Sequence, residues 1–261
     1  MAEKQFVKIA LEDRLAILTI DRPPVNALNA AAMAELDEAV DEVIANPLAK
    51  AVLITGAGQL AFVAGADINE FTQIENAAQS VETARRGQAV FTKIENAPKP
   101  FIAAINGVAL GGGMELALAC HLRVIGDRAR LGQPEITLGI IPGWGGTQRL
   151  PRLVGRAKAI EMILTGDSVT AQEAYRIGLV NKVVPGGEVL KAARDLGKKI
   201  AQKGAVTVRA ALDAITQGSA RTLAEGLEIE AGQFSVLFET EDLREGISAF
   251  LQKRQPVFKD R

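Results

Sequence analysis

The chain has 261 residues, 48% of them hydrophobic, enough for one large buried core or a core with a small appendage, and too many for a disordered chain. Its 30 basic and 31 acidic residues nearly cancel and form no long block of one sign, which argues against a nucleic-acid or anionic-membrane partner and for a small-molecule one. Cys120 is the single cysteine, which excludes an intramolecular disulfide, and with His121 as the single histidine there are too few ligands for a zinc cage, so no metal is expected.

Charges at Glu3, Lys4 and Lys8 leave the amino-terminal stretch without the apolar core of a signal peptide, and a cytoplasmic location is expected. Residues 6–11 and 15–20 predict a hairpin around Glu12-Asp13-Arg14, broken afterwards by Pro23 and Pro24. Residues 31–44 place Met33, Leu36, Val40, Val43 and Ile44 on one helical face, with Asn46-Pro47 as the stop. Short apolar runs at 51–54, 101–105 and 122–125 each end in a glycine turn, and helical patterns at 78–94 and 112–119 lie between them. This repeat of strand, glycine turn and helix favours parallel pairing with one hand, an α/β fold. Residues 101–120 come nearest to a membrane span, but Asn106, Glu115 and four glycines make them protein interior instead. From residue 190 strand signals vanish, and helical stretches follow at 190–202, 206–217 and 223–254, the last with a break near Thr240. A boundary near residue 195 divides a core holding the active site, 1–195, from a helical region, 196–261. There the apolar Leu227, Phe234, Leu237, Phe238, Ile247 and Phe250 require cover, from a neighbouring subunit or from the chain's own core.

Two glutamates stand in apolar sequence: Glu115 behind Gly111-Gly112-Gly113, and Glu135 in Leu131-Gly132-Gln133-Pro134-Glu135. A buried ionised carboxylate loses most of its hydration, so two in core-like segments point to a proton donor and a proton acceptor. Leu118 and Ala119, the helical neighbours of Glu115, are apolar and turn its face inward. Glu135 reads equally well as a salt-bridged loop carboxylate beside Pro142-Gly143-Trp144-Gly145-Gly146, a loop able to shape a pocket. A helix opening near Gly112 leaves backbone N–H groups free at its end, and the glycines there form either an oxyanion hole or a tight helix-packing turn. Asp67 and Glu70 have capping-box spacing, so Asp67 reads as an N-cap rather than a catalyst, with backbone donors near Ala66 as a second oxyanion contact. Cys120 and His121, neighbours on a predicted helix, diverge by about 100° and read as structural. No Gly-x-Ser-x-Gly, Gly-x-Gly-x-x-Gly or Gly-Lys-Ser/Thr motif occurs, which counts against serine hydrolase, dinucleotide and nucleoside-triphosphate readings.

Four motifs in this order resemble the crotonase superfamily, specifically its enoyl-CoA hydratases, over residues 15–258: Ala64-Gly65-Ala66-Asp67-Ile68, the stretch from Ile105 through Gly111-Gly112-Gly113 to Glu115, Gly132-Gln133-Pro134-Glu135, and the Pro142-Gly143-Trp144 loop through Leu150. The resemblance implies a spiral of strand-strand-helix units with a C-terminal helical oligomerisation region that builds homotrimers, usually paired into hexamers. It implies an acyl-CoA substrate whose thioester carbonyl is held by the backbone N–H groups of Ala66 and Gly112, where the enolate charge develops. The acid/base pair falls on Glu115, acting on the water, and Glu135, acting mainly on the C2 proton. Gly143 matches a position where a side chain would crowd that water, and the bulk of Trp144 shortens the acyl pocket, which favours short chains. CoA contacts fall on Ala64, Ala66, Asp67 and Ile68, with Lys253 reaching the CoA phosphates across a subunit boundary. His121 stands where relatives commonly carry aspartate. Coenzyme A is part of the substrate, and no further cofactor is implied.

Water is a poor nucleophile and C2 a poor base, so addition needs one group that removes a proton and one that supplies it. Because members of the family that isomerise, hydrolyse or decarboxylate typically lack one of the pair, the resemblance implies reversible syn hydration of short-chain trans-2-enoyl-CoA to 3-hydroxyacyl-CoA. An isomerase of the same family, or a non-catalytic acyl-CoA- or RNA-binding member, is the alternative.

Overall fold

The computed structural model describes residues 4–261, so Glu3 lies outside it. Asp13 and Arg14 both take left-handed backbone angles, φ 48° and 67°, and make the two-residue turn whose twist matches the strands it joins. These are β1 (Val7–Glu12) and β2 (Leu15–Ile20), antiparallel with Val7 opposite Ile20. Asn29 caps α1 (Ala30–Ala45) by accepting from Ala32 N, a contact that stabilises by about 1 kcal/mol. The face carrying Leu36, Val40 and Val43 is buried, as its spacing predicts.

The chain then winds in similar turns. The first is β3 (Ala51–Gly56), β4 (Ala61–Val63), the short α2 (Ile68–Phe71) and α3 (Ala77–Glu95). Next come β5 (Phe101–Ile105), β6 (Val108–Leu110) and α4 (Gly112–Ala119). After them follow β7 (Leu122–Gly126), β8 (Arg130–Gly132), a 3-10 turn (Pro134–Leu138), α5 (Gly146–Val154) and α6 (Arg156–Thr165). β9 (Val169–Thr170), α7 (Ala171–Arg176) and β10 (Lys182–Val184) complete the sheets.

In the first three turns the first strand enters a six-stranded sheet ordered β1-β2-β3-β5-β7-β10 and the second enters a four-stranded sheet ordered β4-β6-β8-β9, and the last pair enters in the reverse order. This is the expected spiral of strand-strand-helix units. β3 and β5 are buried along their whole length, which is why they read as unbroken apolar runs. β4, β6 and β8 have three residues each, too short to show a period of two, so the second sheet is invisible in the sequence. Phe62, Phe91 and Phe101 are fully buried, each contributing about 1.5–3 kcal/mol.

α4 stops at Ala119 rather than running through Cys120 and His121. Cys120 is extended, with ψ 149°, and the buried Arg123 donates to Ala117 O at 3.2 Å and Cys120 O at 2.6 Å, which sets a cation on the helix's carboxyl end. His121 Nδ1 accepts from Phe101 N at 2.9 Å. Burial lowers the imidazole's pKa to about 4 and raises that of the Cys120 thiol to about 12, so both are neutral at pH 7.

α8 (Val189–Ala201) lays Ala192, Ala193 and Gly197 against the six-stranded sheet, Gly197 close to Leu15 and Leu53. The boundary expected near residue 195 falls inside this helix, and the chain leaves the sheet only after Ala201. α9 (Ala205–Gly218) and α10 (Leu223–Val236) pack on each other where Gly218 meets Gly226, and Thr240, the expected break, caps α11 (Glu241–Leu251). Leu227, Phe234, Phe238, Ile247 and Phe250 are exposed in the single chain, while Leu237 is half-buried. No helix among the described residues is long and apolar enough to cross a membrane.

Candidate active site

β4, β6 and β8 are parallel neighbours, Ala61 beside Val108 and Ala109 beside Leu131, and the chain leaves all of them at one edge. Ala66 stands three residues past β4, Gly112 two past β6 and Glu135 three past β8. The carboxyl ends of adjacent parallel strands are where α/β sheets open to a ligand.

Glu115 lies in the first turn of α4 and is 2% exposed. Its Oε1 accepts from Trp144 N at 2.8 Å and Gly146 N at 2.7 Å, and Oε2 takes no hydrogen bond from the described residues. Burial pushes the carboxyl's pKa up, and the Gly146 and Trp144 amides and the Arg149 guanidinium pull against it. The donating loop is itself fixed. Gln88 Nε2 donates to Gly143 O and Arg149 Nη1 to Trp144 O, both at 2.9 Å, and Gly145 takes a φ of 114°, a conformation that favours glycine.

Glu135 sits half-buried in the 3-10 turn. The fully buried Gln133 donates from its amide nitrogen to Glu135 Oε1 at 3.0 Å and Oε2 at 3.2 Å, in the amide orientation that satisfies both groups. Burial, reinforced by the Glu115 charge, pushes the Glu135 carboxyl up to about 7. Two carboxyls that feel each other in this way titrate as a pair.

The glycines ahead of Glu115 answer to different neighbours. Gly111 has φ 50°, and a Cβ on it would come within 3.0 Å of Glu135 Oε1. At Gly112 a Cβ would stand 2.4 Å from the Trp144 ring and 3.4 Å from Ala66 N; at Gly113 it would stand 1.9 Å from Val63 O. Gly113 is thus the packing glycine that lets α4 lie on β4, while Gly111 faces the Glu135 carboxyl and Gly112 faces the Trp144 ring and Ala66 N. The amides of Ala66 and Gly112 have no acceptor among the described residues. Around Ala66 the backbone is tied to Leu28 by Leu28 N to Gly65 O and Asp67 N to Leu28 O, each 2.8 Å, which turns Ala66 N to the opposite side. Trp144 packs edge-on against Phe91 at 5.7 Å and lies over Gly87, where a Cβ would be 2.3 Å from the ring. A Cβ on Gly143 would meet no protein atom within 4 Å, so internal packing does not require glycine there.

Ala64, Ala66, Asp67 and Ile68 line a cavity of about 930 Å³ together with Arg22 and Pro24. Asp67 caps α2 by accepting from Asn69 N at 3.1 Å, and its Oδ2 accepts from Arg22 Nη2 at 2.6 Å. The Arg22 contact, foremost, holds the Asp67 carboxyl below its usual range. The capping box expected with Glu70 is half-formed, because Asp67 N is taken by Leu28 O and Glu70 accepts from Ala30 N at 2.9 Å instead. Lys253 lies exposed beyond α11 with φ 53°, away from the lining of this cavity in the single chain. Sequence reasoning misses Gln133, Arg149 and Arg22, since a lone polar residue reads as solvated. Only Gln133, between Leu131 and Pro134, carries a local sign of burial.

The family model described as enoyl-CoA hydratase/isomerase matches residues 11–261. The chain belongs to that family. A crotonyl-CoA hydratase of Syntrophomonas wolfei is 46% identical over 248 residues, 95% of each chain. A 2,3-dehydroadipyl-CoA hydratase of Escherichia coli is 44% identical over 254 residues, 97% of this chain and 98% of that one. The crystal structure of an enoyl-CoA hydratase from Bacillus anthracis, 39% identical, superposes with a TM-score of 0.94 over 98% of this chain and 100% of that chain. The paired sheets and helical carboxyl-terminal region are therefore the crotonase fold, and the resemblance carried by the four motifs holds along nearly the whole chain. For this enoyl-CoA hydratase/isomerase chain, the edge shared by β4, β6 and β8 is the candidate active site.

Proposed function

We propose that the chain catalyses the reversible syn addition of water to short-chain trans-2-enoyl-CoA, giving 3-hydroxyacyl-CoA. Two unlike carboxyls at one sheet edge carry this proposal: Glu115, buried with two amides on one oxygen, and Glu135, raised to about 7. Amide donors favour the charged form, so Glu115 is the base that takes a proton from water through its free Oε2. Glu135 takes no such amides from the loop, and burial reinforced by the Glu115 charge favours its neutral form, so it supplies the proton to C2. The water oxygen bonds to C3, the electrons of the C2–C3 double bond move into the thioester as an enolate, and its oxygen is held by the amides of Ala66 and Gly112. Protonation at C2 completes the addition, and return of the proton from Glu115 to Glu135 resets the pair. Both carboxyls act from one side of the double bond, which makes the addition syn.

The CoA portion fits the cavity at Ala64, Asp67 and Ile68, and Trp144 walls the acyl side next to Gly112. No metal or redox cofactor enters any step. The chain acts in the cytoplasm as a homotrimer or a pair of trimers, with the exposed apolar residues of α10 and α11 covered by neighbouring copies, a mass that sedimentation reads directly.

Loss of enoyl-thioester ultraviolet absorbance with crotonyl-CoA tests the reaction. Binding without turnover would make the chain a non-catalytic acyl-CoA binder, and double-bond migration in a 3-enoyl-CoA without hydration would make it an isomerase. A rate profile over acyl lengths, including a six-carbon dicarboxylic enoyl-CoA, tests the preference for short chains, because a relative named for that substrate is nearly as similar as the crotonyl-CoA enzyme.

A further inference from the structure

Helix α3 contributes no side chain to the carboxylate pair, yet one of its faces carries the loop that holds Glu115. Gly87, Gln88, Phe91, Thr92 and Glu95 recur at helical intervals along it and meet the segment 143–149. Gln88 donates to Gly143 O, and Phe91 packs against Trp144. Arg149 closes the contact: its Nε and Nη2 donate to Glu95 Oε2 at 3.0 and 2.8 Å, and Nη2 also to Thr92 Oγ1 at 3.2 Å. Its remaining nitrogen, Nη1, donates to Trp144 O at 2.9 Å. That carbonyl lies between the two amides, Trp144 N and Gly146 N, that bind Glu115 Oε1. Space for the guanidinium exists because Gly145 has no side chain; a Cβ there would stand 2.2 Å from Nη1. The Arg149 side chain is only 10% exposed, a desolvation that an ordinary surface ion pair between helices would not incur.

We propose that Arg149 is a positioning residue for the reaction, clamping the Trp144 carbonyl to α3 through Glu95 and so fixing the two amides that hold Glu115. This rests on Glu115 being the base. A cation at this place also favours the ionised carboxylate. The charged groups around Glu115 are Arg149 from α5, Glu95 from α3 behind it, and Glu135 from the 3-10 turn; β4 and β6, packed beneath α4, are apolar throughout.

The test is kcat and KM for crotonyl-CoA against pH in the wild type, Arg149→Met, Arg149→Lys and Glu95→Gln. A base with a higher pKa is protonated at higher pH, so Arg149→Met is expected to move the acid limb of kcat/KM up by roughly one pH unit. Its plateau kcat should fall about tenfold or more, with KM unchanged because Arg149 touches no substrate. Arg149→Lys keeps the charge and loses the fork, so the limb stays while kcat falls. Glu95→Gln loosens the far end of the clamp, and kcat falls by less than in Arg149→Met. A folded Arg149→Met enzyme with wild-type plateau kcat, or one whose loss falls on KM instead, overturns the proposal. If that variant does not fold, wild-type kcat in both Arg149→Lys and Glu95→Gln overturns it. A wild type inactive on crotonyl-CoA sinks the hydratase reading as well, whereas an active wild type whose kcat survives in the variants sinks only the clamp.

Discussion

Trp144 donates its backbone N–H to Oε1 of Glu115 at 2.8 Å, and Gly146 donates to the same oxygen, so that one carboxylate oxygen is engaged twice while Oε2 takes no hydrogen bond from the described residues. In the proposed reaction a single carboxyl thereby does two jobs. Oε1 ties α4 to the 143–149 loop, and Oε2 is free to act as a base.

An amide of the same shape keeps the first job and loses the second. Glu115→Gln is therefore expected to melt close to the wild-type temperature while kcat for crotonyl-CoA falls by about a hundredfold or more. Glu135→Gln removes the proton donor, and a loss of similar size is expected at pH 7. Either variant retaining a rate within a few-fold of wild type removes the two-carboxylate mechanism.

The pH profile follows from the same pair. Glu135 is raised from 4.5 to about 7 and must hold its proton to deliver it, so kcat/KM should decline as pH rises through about 7. Glu115 must be ionised and sets the acid limb. The two limbs belong to the coupled pair rather than to either residue alone. In Glu135→Gln the residual activity should lose the alkaline limb, and a limb that persists there assigns it to another group.

Replacing Glu135 by glutamine should move stability in the opposite sense to activity. The folded-state pKa of Glu135, about 7, exceeds the ordinary 4.5, so the fold binds this proton more tightly than the unfolded chain does. The associated stability is fully present below pH 4.5 and is lost as pH rises through about 7. Glutamine carries no such penalty. Glu135→Gln is expected to raise Tm at pH 8 and to leave it nearly unchanged at pH 4.5, readable by calorimetry; the same difference at both values would show that the burial cost is not electrostatic.

Much of this was legible residue by residue. The hairpin, α1, α3, α4 and the strands β3, β5 and β7 announce themselves because long apolar runs and helical faces survive as patterns, whereas the three-residue β10 does not. Glu115 is legible for the same reason, a charge where its neighbours are apolar. β4, β6 and β8 are not, and with them goes the edge that assembles Ala66, Gly112 and Glu135. Three-residue strands are specified by the partners on either side, not by their own sequence. Gln133 and Arg149 stay hidden because their partners lie in space, the carboxyl of Glu135 and the carbonyl of Trp144. Glu70 shows the converse: its spacing fits a capping box, yet the tertiary structure offers it Ala30 N instead.

Two glycine-to-alanine changes separate packing from chemistry. A methyl on Gly143 meets no protein atom within 4 Å, so Gly143→Ala should hold its stability within about 0.5 kcal/mol. If Gly143 borders the reacting water, kcat nonetheless falls by about tenfold or more, because a methyl there displaces the nucleophile. A methyl on Gly112 would stand 2.4 Å from the Trp144 ring, whose position is also confined by Gly87, where a Cβ would be 2.3 Å from it, and by Phe91. The backbone of α4 must then shift, carrying Gly112 N away from Ala66 N, and Gly112→Ala should lose about 1–3 kcal/mol of stability together with most of its activity. Thermal melts paired with kcat for both variants check this. Unchanged kcat in Gly143→Ala would move the water elsewhere, and full activity in a stable Gly112→Ala would show that its amide holds no oxyanion.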